Sequence, residues 1–259
     1  MTESGNCYDT PEYWDLAFSD DTSLEADFIL AAAKKYATPD QCLTGYEPGC
    51  GGGRLLKELA SRGLHVVGTD QSSLAVGFAN QQLAELPGRA IVADMTTHVV
   101  ERPVDVAWCL VNTFRHLLND NDALSHLKAV ANSVRPGGIY VIGLHLFPPD
   151  ADEEDEEEWP FSNDQIDGLM QLEVADCRRD TRLETLRFTM TVTDRETQQT
   201  KQFTSDYRMR LYEATHIQSL LSAATDWELL DVYDFWYDLS EPLELTDELG
   251  DTVLVLRRL

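Results

Sequence analysis

The chain has 259 residues with 46 acidic and 20 basic side chains, which give a formal net charge of −26 at pH 7. This length suits one sizeable core, or one core with an inserted subdomain. The negative field repels polyanions, so a protein that acts on DNA or RNA is disfavoured. The charge would also suit a cationic substrate, although solubility is its simpler explanation.

Three further features limit the class of protein. No stretch reaches the roughly 18 apolar residues that a membrane-spanning helix needs. The first residues lack the basic and then apolar pattern of a secretory signal. Five scattered cysteines, without a Cys-x-x-Cys pair, indicate reduced thiols and not disulfides or a metal site. We therefore expect a cytoplasmic protein that binds no membrane and no metal.

The first part of the chain is rich in aromatic residues. Residues 8–18 include Tyr8 and Tyr13, and a helical pattern follows over residues 24–36. Aromatic side chains at this spacing most often serve packing. We expect helices that cap the fold over residues 1–39.

A glycine-rich turn at residues 47–53 lies between a strand pattern and a helical pattern. It reads Glu-Pro-Gly-Cys-Gly-Gly-Gly, and glycine lets a backbone adopt positive φ and approach a ligand closely. A dinucleotide-binding turn, Gly-x-Gly-x-x-Gly, requires a third glycine where helix and strand pack. Counted from Gly49 that position is Arg54, and counted from Gly51 it is Leu56. A turn that holds a pyrophosphate is therefore disfavoured.

Two further apolar runs end in an acid. Residues 65–70 end at Asp70, and residues 90–94 end at Asp94. An acid at the tip of the second parallel strand can accept both hydroxyls of a ribose. Alone, Asp70 would be a helix N-cap and Asp94 a turn former. Both binding predictions therefore depend on the glycine turn that precedes them.

The alternation of strands and helices continues to residue 147. A strand pattern at residues 104–111 precedes a helix at residues 122–134, which the sequence Arg-Pro-Gly-Gly at 135–138 should end, and a strand follows at 139–144. This order predicts an α/β fold with a doubly wound parallel sheet. Ligands of such sheets bind beyond the carboxyl ends of the strands. The strand tips named above should therefore meet at one edge.

The pattern acid-x-Gly-x-Gly-x-Gly, followed by acids at the next two strand tips, resembles the class I S-adenosylmethionine-dependent methyltransferases. The resemblance implies a Rossmann-like seven-stranded sheet with an antiparallel last strand, S-adenosylmethionine as the cofactor and a small-molecule acceptor. Glu47 would serve the cofactor's ammonium, and Asp94 and Met95 its adenine. The cofactor-binding residues expected in this way are Tyr8, Tyr13, Glu47, Gly49, Cys50, Gly51, Gly53, Asp70, Gln71, Asp94, Met95, Leu110 and Asn112.

Methyl transfer requires mainly that donor and acceptor be held close and aligned, and a base is needed only if the acceptor must lose a proton. His116 follows the fourth strand, where similar amino-sugar N-methyltransferases also have a histidine. His145, at the tip of the fifth strand, is the other candidate. Either could equally be a positioning or structural residue. Those enzymes have the pattern Ser-Ser-x-Gly-His-Leu, and Arg115 stands where that pattern has glycine. Arg115 would therefore narrow the pocket or bind an anionic group of the substrate.

The periodicity changes after the fifth strand. The acidic run at residues 150–158 predicts a mobile, solvated loop, and it lacks the spaced ligands and turn glycine of a calcium site. Residues 165–211 follow a period of two, which predicts an antiparallel meander of about three strands. In similar methyltransferases such an insert covers the substrate or forms a dimer interface. A homodimer through the insert is therefore one expectation, and plain structural cover is the other.

These patterns divide the chain into four parts: cap helices (1–39), the Rossmann-like core (40–149), the acidic loop with the β insert (150–211), and the completion of the core (212–259). The leading hypothesis is a methyltransferase that acts on nitrogen or oxygen of a small molecule. The alternative is a catalytically inactive protein that binds S-adenosylmethionine as a sensor or partner subunit. A nicotinamide dehydrogenase is disfavoured because the third glycine is missing.

Overall fold

The computed structural model describes residues 6–38, 43–151 and 156–259, which form two β-sheets and their helices. The helices are α1 (Pro11–Ala17), α2 (Thr22–Tyr36), α3 (Arg54–Ser61), α4 (Ser73–Gln82), α5 (Asp120–Ser133) and α6 (Ala214–Ala223), with 3₁₀ helices at Cys7–Asp9 and Thr113–His116. The strands are β1 (Thr44–Pro48), β2 (His65–Asp70), β3 (Gly88–Val92), β4 (Val104–Cys109), β5 (Val134–His145), β6 (Glu156–Ser162), β7 (Ile166–Arg178), β8 (Leu183–Asp194), β9 (Thr200–Arg210), β10 (Trp227–Tyr233) and β11 (Asp251–Arg258).

The larger sheet has seven strands in the order β10-β11-β5-β4-β1-β2-β3. Strands β1 to β5 pair in parallel, and β11 pairs antiparallel with both β5 and β10. The direction in which strands are added changes beside β1: β2 and β3 lie on one side of β1, and β4 and β5 follow on the other side. The predicted doubly wound sheet with an antiparallel last strand is confirmed.

Helices cover both faces of this sheet. Buried side chains of α2, α3 and α4 pack on one face, and those of α5 and α6 pack on the other. The alternation along β4 shows the two faces, because Val106 and Trp108 belong to the first layer and Ala107 and Cys109 to the second. A parallel sheet covered in this way has apolar strands on both sides, which explains the continuous apolar runs of the sequence.

The smaller sheet is antiparallel and has four strands, β6-β7-β8-β9, where the sequence predicted about three. The additional strand is β6, whose first residues Glu156–Glu158 belong to the acidic run that was predicted to be a loop. Its apolar residues come after a block of acids that hides the period of two. Residues 152–155 of that run lie outside the described residues.

The smaller sheet packs its inner face against the N-terminal segment. Leu186, Phe188 and Met190 of β8 are buried in one cluster with Cys7 and Ala17. The indole nitrogen of Trp159 also donates to the carbonyl oxygen of Ala17 at 2.8 Å. The aromatic segment therefore lies between the two sheets, where it can shape any site at their junction.

Two smaller points concern the predicted boundaries. Helix α5 ends at Ser133 and β5 begins at the next residue, so the Arg-Pro-Gly-Gly sequence belongs to the strand and does not form a separate turn. Gly137 has φ +78°, and its carbonyl accepts from the Thr38 amide at 2.8 Å.

No helix in the described ranges is long and apolar enough to cross a membrane. The expectations for residues 1–5 and for Cys42 fall outside those ranges.

Candidate functional site

A cavity of about 650 Å³ lies at the carboxyl ends of β1 to β4, and we call it the first cavity. Its walls come from the glycine turn, the ends of the four strands and the N-terminal segment. It brings together most of the residues that the sequence predicted for a cofactor site: Tyr8, Glu47, Gly49, Cys50, Gly51, Asp70, Gln71, Asp94, Met95 and Leu110, together with His116.

The glycine turn has the backbone that its sequence requires. Gly49, Gly51 and Gly53 all have positive φ, at 71°, 51° and 87°. A Cβ on Gly49 would lie 2.4 Å from Cγ2 of Thr113, so no larger residue fits there. A Cβ on Gly51 would meet nothing within 4 Å, because this part of the turn faces open space. A ligand can therefore approach the backbone at Gly51 directly.

Asp70, at the end of β2, holds the turn in place. One of its carboxylate oxygens accepts from the Gly51 amide at 2.9 Å, and the other accepts from the Ser72 amide at 2.8 Å. The N-cap of α4 is Ser72, whose hydroxyl accepts from the Ala75 amide, so Asp70 is not the cap. Each carboxylate oxygen retains a further lone pair. Asp70 can therefore accept from two ligand hydroxyls while it fixes the loop.

Glu47, at the end of β1, is a buried carboxyl whose hydrogen bonds are incomplete. Its side chain is 8% exposed, and Oε2 has no hydrogen-bond partner among the described residues. Burial raises the pKa of Glu47 well above its ordinary value, and the charge of Arg54 and then the nearby Trp108 indole only partly oppose this effect. An orphaned buried acceptor is costly, so such a group normally has a partner. A cationic ligand in the first cavity would supply one.

Asp15 and Arg54 are cavity residues that the sequence did not indicate. The Asp15 carboxylate, on α1, lies over Gly52, where a Cβ would come within 2.5 Å of it. Burial raises the pKa of Asp15 to about 7, although Arg54 and the backbone amides of Gly52 and Arg54 lower it. Arg54 forms a buried ion pair with Glu25 of α2. No spacing rule connects α1 with the glycine turn, so only the tertiary structure shows this contact.

Asp94 forms a turn and also lines the first cavity. Its Oδ1 accepts from the amide and the hydroxyl of Thr96 at 2.8 and 2.7 Å, which forms a turn after β3 and lowers the pKa of the carboxyl. Asp94 also lines the first cavity, and the neighbouring Met95 places its sulfur beside Gly49. A turn former and a ligand contact are therefore compatible at this position.

His116 lies on the wall of the first cavity beside Tyr8. The Tyr8 hydroxyl and Nε2 of His116 are 3.1 Å apart. Burial, and then the charge of Arg115, lower the pKa of His116 to about 4, so the imidazole is neutral at pH 7. Burial also raises the pKa of Tyr8 well above its ordinary value. The neutral phenol can therefore donate to the neutral imidazole, and Tyr207 stacks on the Tyr8 ring at 4.1 Å.

Residues 46–138 include Glu47, Asp70 and Asp94. Over these residues the chain matches the family described as a methyltransferase domain. A ubiquinone biosynthesis O-methyltransferase from Aeromonas salmonicida (strain A449) is 35% identical over 105 residues. That match covers 39% of this chain and 42% of the relative, so it spans well under half of either protein.

Solved structures share the fold over almost the whole chain. DesVI of Streptomyces venezuelae has a TM-score of 0.79 at 15% identity, with 99% of this chain and 100% of that chain covered. CalS10, an amino pentose methyltransferase from Micromonospora echinaspora, has a TM-score of 0.71 at 19% identity, with 100% and 99% covered. At such identities the likeness shows the fold, which for this chain includes the β insert.

Some predicted residues lie outside the first cavity. Tyr13 does not line the first cavity and packs near Phe203, with ring centroids 6.1 Å apart. Gly53 is the N-cap residue of α3 and is not among the lining residues. The structure gives no support to a direct cofactor contact of either residue. Gly53 instead shapes the turn.

Asn112, Arg115 and His145 line a second cavity, which adjoins the first and has a volume of about 620 Å³. Asn112 has φ 63°, and its side-chain oxygen accepts from the His145 amide at 2.8 Å. The His145 imidazole lies 3.4 Å from Asp251. Arg115 is 5% exposed and forms a buried ion pair with Glu184. The predicted cofactor, substrate and catalytic residues are therefore divided between two adjoining spaces.

Proposed function

We propose that this protein is an S-adenosylmethionine-dependent methyltransferase that transfers a methyl group to a small molecule. The observation that carries the proposal is the pair of strand-tip acids at the open glycine turn. Glu47 has an unpartnered buried oxygen for an ammonium, and Asp70 has free lone pairs for ribose hydroxyls. The turn between them leaves space at Gly51 for the ligand that joins these groups.

The charges of the first cavity suit this cofactor and oppose a dinucleotide. The carboxylates among the lining residues are Asp9, Asp15, Glu47, Asp70, Asp94 and Asp122, against Arg54 and Arg208 as the guanidiniums. Arg54, the cation beside the turn, is already paired with Glu25. A diphosphate would meet carboxylates with no available guanidinium at the turn, whereas a phosphate-free cofactor with an ammonium finds partners.

When bound, the cofactor would supply a methyl group on a sulfonium, whose sulfur is a good leaving group, to a lone pair of the acceptor. The protein's own residues then have two tasks. Glu47 and Asp70 fix the two ends of the cofactor, and the rings of Tyr8 and Trp14 exclude water from the junction of the two cavities. Alignment of this kind can supply much of the lowering of the barrier.

The role that we propose for His116 is to position Tyr8 and to receive a proton. Its pKa of about 4 makes it a weak base at pH 7, so it cannot hold a proton for long. Because its Nε2 accepts from the Tyr8 hydroxyl, a proton that leaves the acceptor would reach His116 through Tyr8 and would then be released to solvent. His145 lies on the second cavity beside Asp251, where we propose a structural role.

The relatives support a small-molecule acceptor. The names of CalS10 and of the Aeromonas salmonicida relative specify an amino pentose methyltransferase and an O-methyltransferase. They favour neither nitrogen nor oxygen for this chain. The homodimer through the β insert stays a prediction.

Calorimetric titration with S-adenosylhomocysteine and with NAD tests the cofactor. We expect saturable binding of the first compound and none of the second at the same concentration. Turnover of labelled S-adenosylmethionine over amines, phenols and carboxylates then tests catalysis. Cofactor binding without turnover of any acceptor class would favour the inactive sensor, and tighter binding of NAD would refute the proposal.

A further inference from the structure

The second cavity lies where an acceptor would have to enter. Five residues line both cavities, so the two spaces share one wall: Tyr8, Trp14, Phe18, Arg54 and Val111. Val111 and Asn112, which follow β4, have φ 50° and 63°. Side chains with a Cβ rarely adopt this conformation, and strained backbone of this kind is concentrated at functional sites. The strained pair turns the chain at the junction of the cavities.

The lining of the second cavity is strongly aromatic. Rings come from three separate parts of the chain: Trp14 and Phe18 of the N-terminal segment, Trp159 and Phe188 of the insert, and Phe235 and Tyr237 after β10. Leu172, Val174 and Leu186 add aliphatic surface from the insert. A cavity of this composition favours a ligand with an apolar body. The negative faces of the rings also favour a cation.

The charged groups around the second cavity are mainly acidic. The lining carboxylates are Asp20, Asp21, Glu25, Glu157 and Glu184, and the lining guanidiniums are Arg54 and Arg115. Arg54 pairs with Glu25, and Arg115 pairs with Glu184. The Nε of Arg115 also donates to the Arg210 carbonyl at 3.0 Å.

Each guanidinium is therefore neutralised by its own buried carboxylate. Nearby, the Arg179 guanidinium lies on the Phe147 ring at 4.3 Å and donates to the carbonyl of Ala151 at 2.7 Å. An anionic acceptor needs a bidentate guanidinium or a lysine to replace its lost hydration. Among the described residues that line this cavity, the two guanidinium groups, those of Arg54 and Arg115, already have carboxylate partners.

We propose that the second cavity binds the methyl acceptor, and that this acceptor is a cationic amine with an apolar body and without a phosphate or carboxylate. The proposal rests on the proposed function and specifies its substrate class. The rings hold the apolar body and the ammonium, and Asp20 and Asp21 at the rim add attraction. The earlier expectation that Arg115 binds an anionic group is replaced by a structural role, because Glu184 already satisfies its charge.

The same acidity has a kinetic consequence. An ammonium must lose one proton before its nitrogen lone pair can bond to carbon, and neighbouring carboxylates and cation-binding rings stabilise the protonated form. The acceptor's own titration should therefore limit turnover. With saturating acceptor, we expect the turnover rate to rise with pH up to the pKa of the bound amine.

The test begins with protein saturated with S-adenosylhomocysteine, since saturation itself establishes that the cofactor site is intact. The probes are 2-phenylethylamine, its neutral analogue 2-phenylethanol, its anionic analogue 3-phenylpropanoate, and uridine diphosphate. We expect the amine to bind about 2- to 30-fold more tightly than the neutral analogue. Neither anion should bind measurably. Equal or tighter binding of either anion overturns the proposal and leaves the proposed cofactor function unaffected.

A pair of matched variants locates the binding. Asp21→Asn removes a rim carboxylate, and Asp164→Asn removes an exposed carboxylate in the turn between β6 and β7 that lines neither cavity. We expect Asp21→Asn to weaken amine binding about two- to fivefold and Asp164→Asn to leave it unchanged. Both variants should bind S-adenosylhomocysteine like the parent. Equal weakening in the two variants would show a general charge effect and would contradict binding in the second cavity.

Discussion

Replacement of Glu47 by glutamine separates ligand binding from folding. The variant keeps the shape of the side chain and removes its charge. A charge-assisted hydrogen bond contributes about 1.5–3 kcal/mol. Because Glu47 is 8% exposed, water screens its interaction with a bound ammonium only weakly. We therefore expect Glu47→Gln to weaken the binding of S-adenosylhomocysteine about 10- to 150-fold at pH 8.

The same substitution should not harm the unliganded protein. Glu47 has a raised pKa because burial opposes its ionisation, so the folded state binds the proton more tightly than the unfolded state does. Stability therefore falls as pH rises through the range between the unfolded and folded pKa values, and glutamine removes that loss. Calorimetry measures the affinity, and thermal unfolding without ligand measures the stability. Glu85→Gln, an exposed change of the same charge, is the control.

Two results would refute this reasoning. One is unchanged affinity in Glu47→Gln, which would mean that the ammonium binds elsewhere. The other is a loss of affinity accompanied by a lowered midpoint of unfolding, which would indicate a damaged fold and not a lost contact. Glu85→Gln should show neither effect.

Three further predictions concern the glycine turn and the first cavity. Because burial raises the pKa of Asp15 to about 7, its negative charge is lost as pH falls through 7. Cofactor affinity should therefore fall from pH 8 to pH 5, and Asp15→Asn should flatten this pH profile. An unchanged profile in the variant contradicts a role of the Asp15 charge in cofactor binding. Gly53→Ala should lower the free energy of unfolding by more than the roughly 1–2 kcal/mol that a left-handed backbone costs a residue with a Cβ, because its Cβ would also lie 2.9 Å from Ala79. Gly63→Ala, at φ 97° with open space around the Cβ, measures the backbone cost alone. Equal unfolding curves for the two variants would refute the clash. His116→Ala should lower turnover more than cofactor affinity, and unchanged turnover would remove His116 from the site.

The sequence was most informative where one local signal coincided with sheet geometry. Residues 47–53 identify a strand, turn and helix, and the acids at Asp70 and Asp94 follow at the next strand tips. Parallel strands bring such tips to one edge of the sheet, so the sequence alone predicted that Glu47, Asp70 and Asp94 lie together. The order of helices and strands predicted the doubly wound parallel sheet for the same reason, whereas the seven strands and the antiparallel last strand were implied by the resemblance to class I methyltransferases.

The sequence was least informative where distant segments meet. Asp15 reaches the glycine turn from α1, and Glu25 neutralises Arg54 from α2, although neither contact has a fixed spacing. The ion pair of Arg115 with Glu184 joins the core to the insert in the same way. Strand β6 was missed because its acids dominate the local pattern. These features decide which charges remain available to ligands, and they therefore determine the chemistry of both cavities.

The central claim is that the glycine turn holds an adenosyl amino acid between Glu47 and Asp70. A crystal structure of the protein with S-adenosylhomocysteine tests it most directly. We expect the ligand's ammonium within hydrogen-bond distance of Glu47 and its ribose hydroxyls on Asp70. A ligand bound at another place, or an occupied first cavity with the ribose away from Asp70, would contradict the claim.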